Sequence, residues 1–176
     1  TSNFEVFTSV ITSGENSVLA LNTTAAKVDS GVTLPTSTNI TVTSGINQNQ
    51  DGQKYIMYVF KNIQGYSKIG SYIGNGNANG TFVYTGFKPA WVMCKSTAST
   101  SDWYIYDNKR EGYNIDNDHL LANSTAAEAT ADEIDMLSNG FKLRIATDPN
   151  VAEAYIYMAF AEHPFVSSEG VPTTAR

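Results

Sequence analysis

Cysteine is almost missing from this chain. Cys94 is the one cysteine in 176 residues, so no disulfide closes within it. Stability has to come from packing or from association with other chains. Set inside Ala90-Trp-Val-Met-Cys-Lys95, Cys94 reads as a small core residue. Charge is also scarce, at 16% of residues against a usual share of about a quarter. What charge there is leans acidic, with a formal net charge of −6 and a pI near 4.8. An acidic chain with few Lys and Arg argues against nucleic acid and anionic membranes as partners. No apolar run approaches the roughly 20 residues that a membrane-spanning helix needs. Thr1–Phe7 has neither the basic start nor the apolar stretch of a signal peptide. The two histidines, His119 and His163, lie apart from Cys94, so zinc finds no ligand spacing. A Ser-His-Asp triad does not depend on spacing, but His163 beside Pro164 reads first as the end of a strand. The loop Gly74–Gly80 lacks a Walker lysine and runs into strand-like Thr81–Tyr84, so its glycines read as a turn and not as a phosphate cradle.

Ser, Thr, Asn and Gly fill the space that charge leaves, as in a hydrated all-β surface protein. The chain also repeats itself. Tyr155-Ile-Tyr-Met-Ala-Phe160 echoes Tyr55-Ile-Met-Tyr-Val-Phe60, and both runs read as strands buried on two faces. Upstream, Leu120-Leu-Ala-Asn123-Ser-Thr-Ala-Ala127 echoes Leu19-Ala-Leu-Asn22-Thr-Thr-Ala-Ala26. The offsets are 100 positions (from 55 to 155) and 101 positions (from 22 to 123). Two matches at nearly one offset indicate an internal repeat of about 100 residues. Phe4–Phe7 corresponds to Trp103–Tyr106, so Gly65–Thr100 has no counterpart upstream. The expected organisation is therefore a first copy over 1–65 that lacks its opening strands, a complete second copy over 66–165, and a tail over 166–176. A chain that starts inside a repeat is expected to be the C-terminal piece of a longer polypeptide.

Short strands are expected at Phe4–Phe7, Val18–Leu21, Ile40–Val42, Tyr55–Phe60, Gly65–Tyr72, Phe82–Tyr84, Ala90–Lys95, Trp103–Asp107 and Tyr155–Ala161. Asp51-Gly52 and Asn139-Gly140 are turn signals, the latter between Ile134–Leu137 and Phe141–Ile145. Thr125-Ala-Ala-Glu128 has the capping-box spacing, which predicts a few helical turns in the second copy. Glu128, Asp132, Glu133 and Asp135 would lie on an exposed face of that helix. The fold class that follows is all-β, a β-sandwich of the jelly-roll or concanavalin A-like kind.

Gly65-Tyr-Ser-Lys-Ile-Gly-Ser-Tyr-Ile-Gly-Asn-Gly76 is the start of a wider likeness. With Gly86-Phe-Lys-Pro-Ala-Trp-Val-Met93, Trp103-Tyr-Ile-Tyr-Asp-Asn-Lys-Arg110, Leu137-Ser-Asn-Gly-Phe-Lys-Leu-Arg144 and Tyr155–Glu162, the chain resembles a repeated domain of tail-fibre and other virion proteins of marine tailed bacteriophages. The likeness covers about residues 55–165 well and 1–54 more loosely. It implies a place on the virion surface, other virion proteins as neighbours, and attachment to a host receptor, a glycan or a protein. It carries no catalytic motif, and the expected protein is not an enzyme. Other readings are a capsid or tail decoration protein and, from another class, a glycan depolymerase, which would need paired carboxylates in a cleft. A low-charge β chain with a truncated copy needs its edges covered, so a homo-oligomer is expected, with a trimer favoured.

A sugar needs an aromatic platform beside planar polar groups. Tyr104, Tyr106 and Tyr113, with Asp107, Asn108, Lys109 and Arg110, supply these types together. Strand alternation would turn Trp103 and Ile105 inward and Tyr104 and Tyr106 outward, where the tyrosines could equally just cover the sheet. Asn114, Asp116 and Asp118 offer oxygen ligands spaced like the start of a calcium loop, with His119 where the sharp-turn glycine belongs. Asx turns in a solvated loop explain the same residues. Calcium is the one cofactor in view.

Overall fold

The computed structural model describes residues 3–11, 17–29, 33, 35–42, 49–110 and 118–166. These residues form eleven strands and no helix, arranged in three antiparallel sheets. The largest sheet places β4 (Ser67–Ile73), β11 (Ala154–Ala161), β6 (Pro89–Ser96), β7 (Tyr104–Asp107) and β8 (His119–Leu121) side by side. A second sheet orders β5 (Phe82–Tyr84), β10 (Gly140–Leu143) and β9 (Ile134–Leu137). A third orders β1 (Glu5–Val6), β2 (Ser17–Ala20) and β3 (Val28–Asp29).

β11 shows why the five-stranded sheet holds. It pairs over its whole length with β4 on one side and with β6 on the other. Its period of two sends Tyr155, Tyr157 and Ala159 to one face, where they pack with Tyr72, Val92, Cys94 and Tyr106 of their own sheet and with Val83, Met136, Phe141 and Leu143 of the second. Ile156 goes to the other face, against Trp103 and against Ile11 and Leu19 of the N-terminal region. The larger aliphatic and Phe side chains among these, fully buried, each contribute about 1.5–3 kcal/mol. The molecule is thus β-sandwich-like around the first cluster, with the N-terminal sheet laid on the outer face of the large one. The buried Cys94 sits in the first cluster, as its neighbours in sequence imply.

Local chemistry explains the joints. β9 and β10 pair from Gly140↔Leu137, which leaves Ser138 and Asn139 as a two-residue turn. Gly140 is needed by close approach, since a Cβ there would lie 2.1 Å from the carbonyl oxygen of Val83. Asn150, fully buried, donates to Asn75 Oδ1 (2.9 Å) and to the carbonyls of Asn77 (2.9 Å) and Ile145 (2.6 Å), and so pins the Asn/Gly loop to the body.

The N-terminal sheet and the β7–β8 edge make the same bonds. Val6↔Leu19 and Glu5↔Ala20 correspond to Ile105↔Leu120 and Tyr104↔Leu121. The Asn22 side chain accepts the Phe4 N–H at 2.9 Å, and the Asn123 side chain accepts the Trp103 N–H at 2.8 Å. β3 meets β2 at Val18↔Val28, and Ala129 meets β8 at His119↔Ala129.

Four sequence expectations need correction. Tyr55–Phe60 is neither a strand nor buried: Ile56 is 81% exposed and Tyr58 is 67% exposed, whereas Tyr155 is fully buried. Apolar pattern alone does not bury a strand; β11 is dry because β4 and β6 flank it and two layers cover it. Ile40–Val42 is likewise exposed, and it forms no strand among the described residues. The capping-box stretch forms no helix; Thr125–Ala131 carries only the bridge at Ala129, and Ile134–Leu137 is β9. Ile134, Asp135 and Met136 are buried in succession, which a sheet partner on one edge explains and a one-sided helix does not. Consequently Glu133 and Asp135 are buried and do not lie on an exposed helix face.

Candidate functional site

The expected sugar-binding residues divide. Tyr106 is fully buried, and its hydroxyl donates to Glu133 Oε2. His119 Nδ1 lies 3.0 Å from Glu133 Oε2, and the His119 ring sits edge-on to both Tyr104 and Tyr106, at 5.2 and 5.9 Å. Tyr104 is half-buried and stacks on Tyr106. Burial pushes both phenols well above their ordinary value, with further upward contributions from charges that include Glu133. This corrects the outward placement of Tyr106. β7 is covered on both faces, with Trp103 buried against the N-terminal region and Tyr106 against the second sheet. Replacing Tyr106 by Phe is expected to lower stability by about 1–3 kcal/mol, because it strips a hydrogen bond from a buried carboxylate. Urea unfolding of Tyr106→Phe would show this, and surface binding should be unchanged.

Asp107, Asn108, Lys109 and Arg110 do come together, where β7 leaves the sheet. Asp107 accepts from the Lys109 N–H (2.9 Å) and from Arg110 Nε (2.8 Å), and Arg110 also pairs with Glu128. Asn108 donates to Glu162 Oε1 at 2.8 Å, beside the end of β11. Lys88 lies 2.7 Å from Glu162 Oε2, and this ammonium holds the Glu162 carboxyl below its usual value. Lys109, with its side chain 79% exposed, reaches Glu162 at 3.8 Å. Three cations and three carboxylates therefore neutralise one another locally, leaving a surface of planar and hydroxyl-compatible groups.

Its aromatic neighbour is one the sequence order hides. In the sheet register Phe160 lies opposite Trp91, and Trp91 opposite Asp107, so all three share a face. Trp91 and Phe160 are 5.7 Å apart, and Tyr66 and Phe60 both meet Phe160 edge-on, at 6.2 and 6.0 Å. Trp91, Phe160 and Tyr66 are half-buried, with apolar faces still reachable. A row of rings running into Asp107–Arg110 is a platform beside polar groups, which the tyrosines of β7 do not form. The signal was the cross-strand register, which pairs residues far apart in sequence.

Tyr113, Asn114 and Asp116 lie outside the described residues. Asp118 is buried, and its Oδ1 has no hydrogen-bond partner among the described residues. Those residues hold no group of three or more metal-ligating side chains. They form no helix long and apolar enough to cross a membrane.

No curated protein matches this chain, and no solved structure matches it. A family model does, over residues 1–164, and the chain belongs to that family, described as Domain of unknown function (DUF7483).

Proposed function

We propose that this protein is a non-enzymatic module of a virion surface that attaches to a host glycan. The observation that carries the sugar reading is the row Tyr66–Phe160–Trp91 continuing into Asp107, Asn108, Lys109 and Arg110. Ring faces suit the C–H faces of a sugar, and the amide, carboxylate and guanidinium groups suit its hydroxyls. The place on a tail fibre or capsid exterior rests on the family likeness in the sequence. Two concanavalin A-like copies, the first missing its opening strands, are part of the same reading. The matched bonds of Asn22 and Asn123, and the matched registers of β1–β2 and β7–β8, support them. Homo-oligomers, trimers first, would cover the remaining edges; a stable monomer by light scattering counts against that. Calcium at Asn114, Asp116 and Asp118 enters only through the buried Oδ1 of Asp118, which has no hydrogen-bond partner among the described residues.

The test is a glycan array with host surface polysaccharide as one of its members. The wild type is expected to be retained. Asn108→Ala and Lys109→Ala should each weaken retention by roughly tenfold, the worth of about one polar contact. Lys109 is exposed, and Asn108, half-buried and held by Glu162, belongs to neither hydrophobic cluster, so circular dichroism should change little. Retention by no glycan would defeat the sugar reading. Released reducing ends would replace it with the depolymerase.

A further inference from the structure

β4 is the outermost strand of the five-stranded sheet, with β11 on its inner side. Along an antiparallel strand the N–H and C=O of one residue point to the same side, and the side alternates. Tyr66 and Gly74 point toward β11: the Tyr66 carbonyl accepts from the Ala161 N–H (2.9 Å), and the Gly74 N–H donates to the Glu153 carbonyl (2.9 Å). Ser67, Ile69, Ser71 and Ile73 therefore point outward. Ser67 is met there by Ile63, with which it exchanges two bonds of 3.0 Å. The Ile69 N–H donates to Asn62 Oδ1 (2.5 Å), and the Ile73 carbonyl accepts from Thr81 Oγ1 (2.8 Å). Those two side chains stand where a neighbouring strand would put a carbonyl and an N–H. The Ile69 carbonyl, both groups of Ser71 and the Ile73 N–H have no hydrogen-bond partner among the described residues.

This edge is complementary to itself. A two-fold axis at Ser71 lays the strand antiparallel on a second copy, so that Ser71 meets the partner's Ser71 and Ile69 meets the partner's Ile73. Each outward N–H then faces a carbonyl, in the Ser71 pair and in both Ile69–Ile73 pairs, and Asn62 and Thr81 are released. The side chains agree. Ile69, Ser71 and Ile73 share the outer face with Met158, Ile156 and Ala154, and Ile73 is 64% exposed. No charged residue lies in 69–73, and Lys68 falls opposite the partner's Gly74, so no like charges meet. Proline, a bulge or an inward charge would guard such an edge, and 69–73 has none of them. A mostly apolar cavity of about 210 Å³, lined in part by Val10, Ser71, Ile73, Ala154 and Ile156, opens beside the place that the partner's Ile69 takes.

We propose that two copies of this chain pair through residues 69–73 of β4, across a two-fold axis at Ser71, and so join their large sheets into one. A second copy is singled out because the capped and the free groups of this edge map onto each other under that axis. The proposal rests on the homo-oligomer reading above and assigns one contact of it. Alone the contact makes a dimer; between trimers it makes a hexamer. It is independent of the sugar reading.

Ser71→Cys tests the register. Facing Cα atoms in such a pair lie about 5.5 Å apart, within reach of a disulfide, and the natural Cys94 is buried. A short edge pairing is a weak contact, so roughly 100 µM chain is used, with a mild oxidant. Ser71→Cys is expected to run at twice the chain mass on a non-reducing gel. Ile73→Cys is expected to stay single, because its own copy lies about 14 Å along the ladder. Ser71→Pro removes an outward N–H and no bond to β11, which an edge strand tolerates. It takes one bond per chain, and should weaken association by about thirtyfold in sedimentation with circular dichroism unchanged. Ser71→Lys keeps the backbone and sets two ammonium groups face to face, which should weaken association about fivefold. Equal linking of Ser71→Cys and Ile73→Cys, the mark of chance encounter, would overturn the proposal. So would slow exchange of the Ser71 and Ile73 amides in a monomer, since the chain would then cover its own edge. An oligomer by light scattering in which Ser71→Cys forms no link overturns this pairing and leaves the homo-oligomer reading standing. A monomer at every concentration defeats both.

Discussion

Above pH 10 the protein is expected to unfold in one cooperative step, with phenolate absorbance rising as the β-sheet circular dichroism disappears. Tyr72, Tyr106, Tyr155 and Tyr157 are all buried. Burial, the largest cause in each case, raises their phenols above the ordinary value. Partners add to it for some: Tyr155 donates to Asp148 Oδ1 at 2.5 Å, which raises it further. The folded state keeps these protons to a higher pH than the unfolded chain does. Their contribution is therefore intact below pH 10 and is lost as the pH rises beyond it. A phenol that keeps its proton in the folded state through pH 11 removes about 1.4 kcal/mol by then, against a typical total of about 5–15 kcal/mol. Cys94 acts in the same direction, since burial pushes its thiol up to about 12. Its contribution falls away from about pH 9 upward. Lys95 opposes them. Burial brings its ammonium down to about 8, so the unfolded chain binds the extra proton between pH 8 and about 10.5 and stability rises across that window. Stability should thus peak near pH 9 and then drop steeply. Phenolates that all titrate near pH 10 with the circular dichroism intact would contradict this.

Trp103→Ala is expected to cost about 3–5 kcal/mol, the range for deleting a buried large aromatic, and to loosen the N-terminal sheet before the rest. The ring packs among Ile11, Leu19 and Ile156, and its Nε1–H donates to the Ala20 carbonyl at 2.9 Å. Two further bonds join the same layers, from Lys27 N–H to the Thr97 carbonyl (3.1 Å) and from Ser101 N–H to the Thr24 carbonyl (2.9 Å). Neither replaces the apolar contact. Hydrogen exchange should therefore show β2 and β3 opening while β6 and β11 stay protected. Equal loss of protection in both regions would mean that the two layers fold as one unit and that Trp103 is not their hinge.

Several strands were legible because their chemistry is local. The turn at Ser138–Asn139 before Gly140, the alternation of Tyr155–Ala161 and the apolar setting of Cys94 each follow from neighbouring residues. The Asn22 and Asn123 stretches were visible only as an echo of each other; the bonds they make, to N–H groups 18 and 20 positions away, were not. Thr125–Leu137 carried two readings, a helix from the capping box and, for Ile134–Leu137, an arm of the Asn139-Gly140 hairpin; the hairpin held. A capping box favours a helix only if an apolar stripe follows, and here β10 claimed Ile134–Leu137 as a strand. The burial of Glu133 was not legible because its partners Tyr106 and His119 lie 27 and 14 positions away and meet it only across folded strands. The aromatic row escaped for the same reason: Trp91 neighbours Asp107 and Phe160 through register alone.

By itself the sequence determined the all-β class and the placement of most strands and turns. Those properties depend on backbone preference and on alternation over a few residues. Only the tertiary structure decided which of two similar apolar runs would be dry. Residues 155–160 have a strand on each side and a layer above and below, while 55–60 have neither, among the described residues. Burial belongs to neighbours brought from elsewhere in the chain, and no short stretch carries that information.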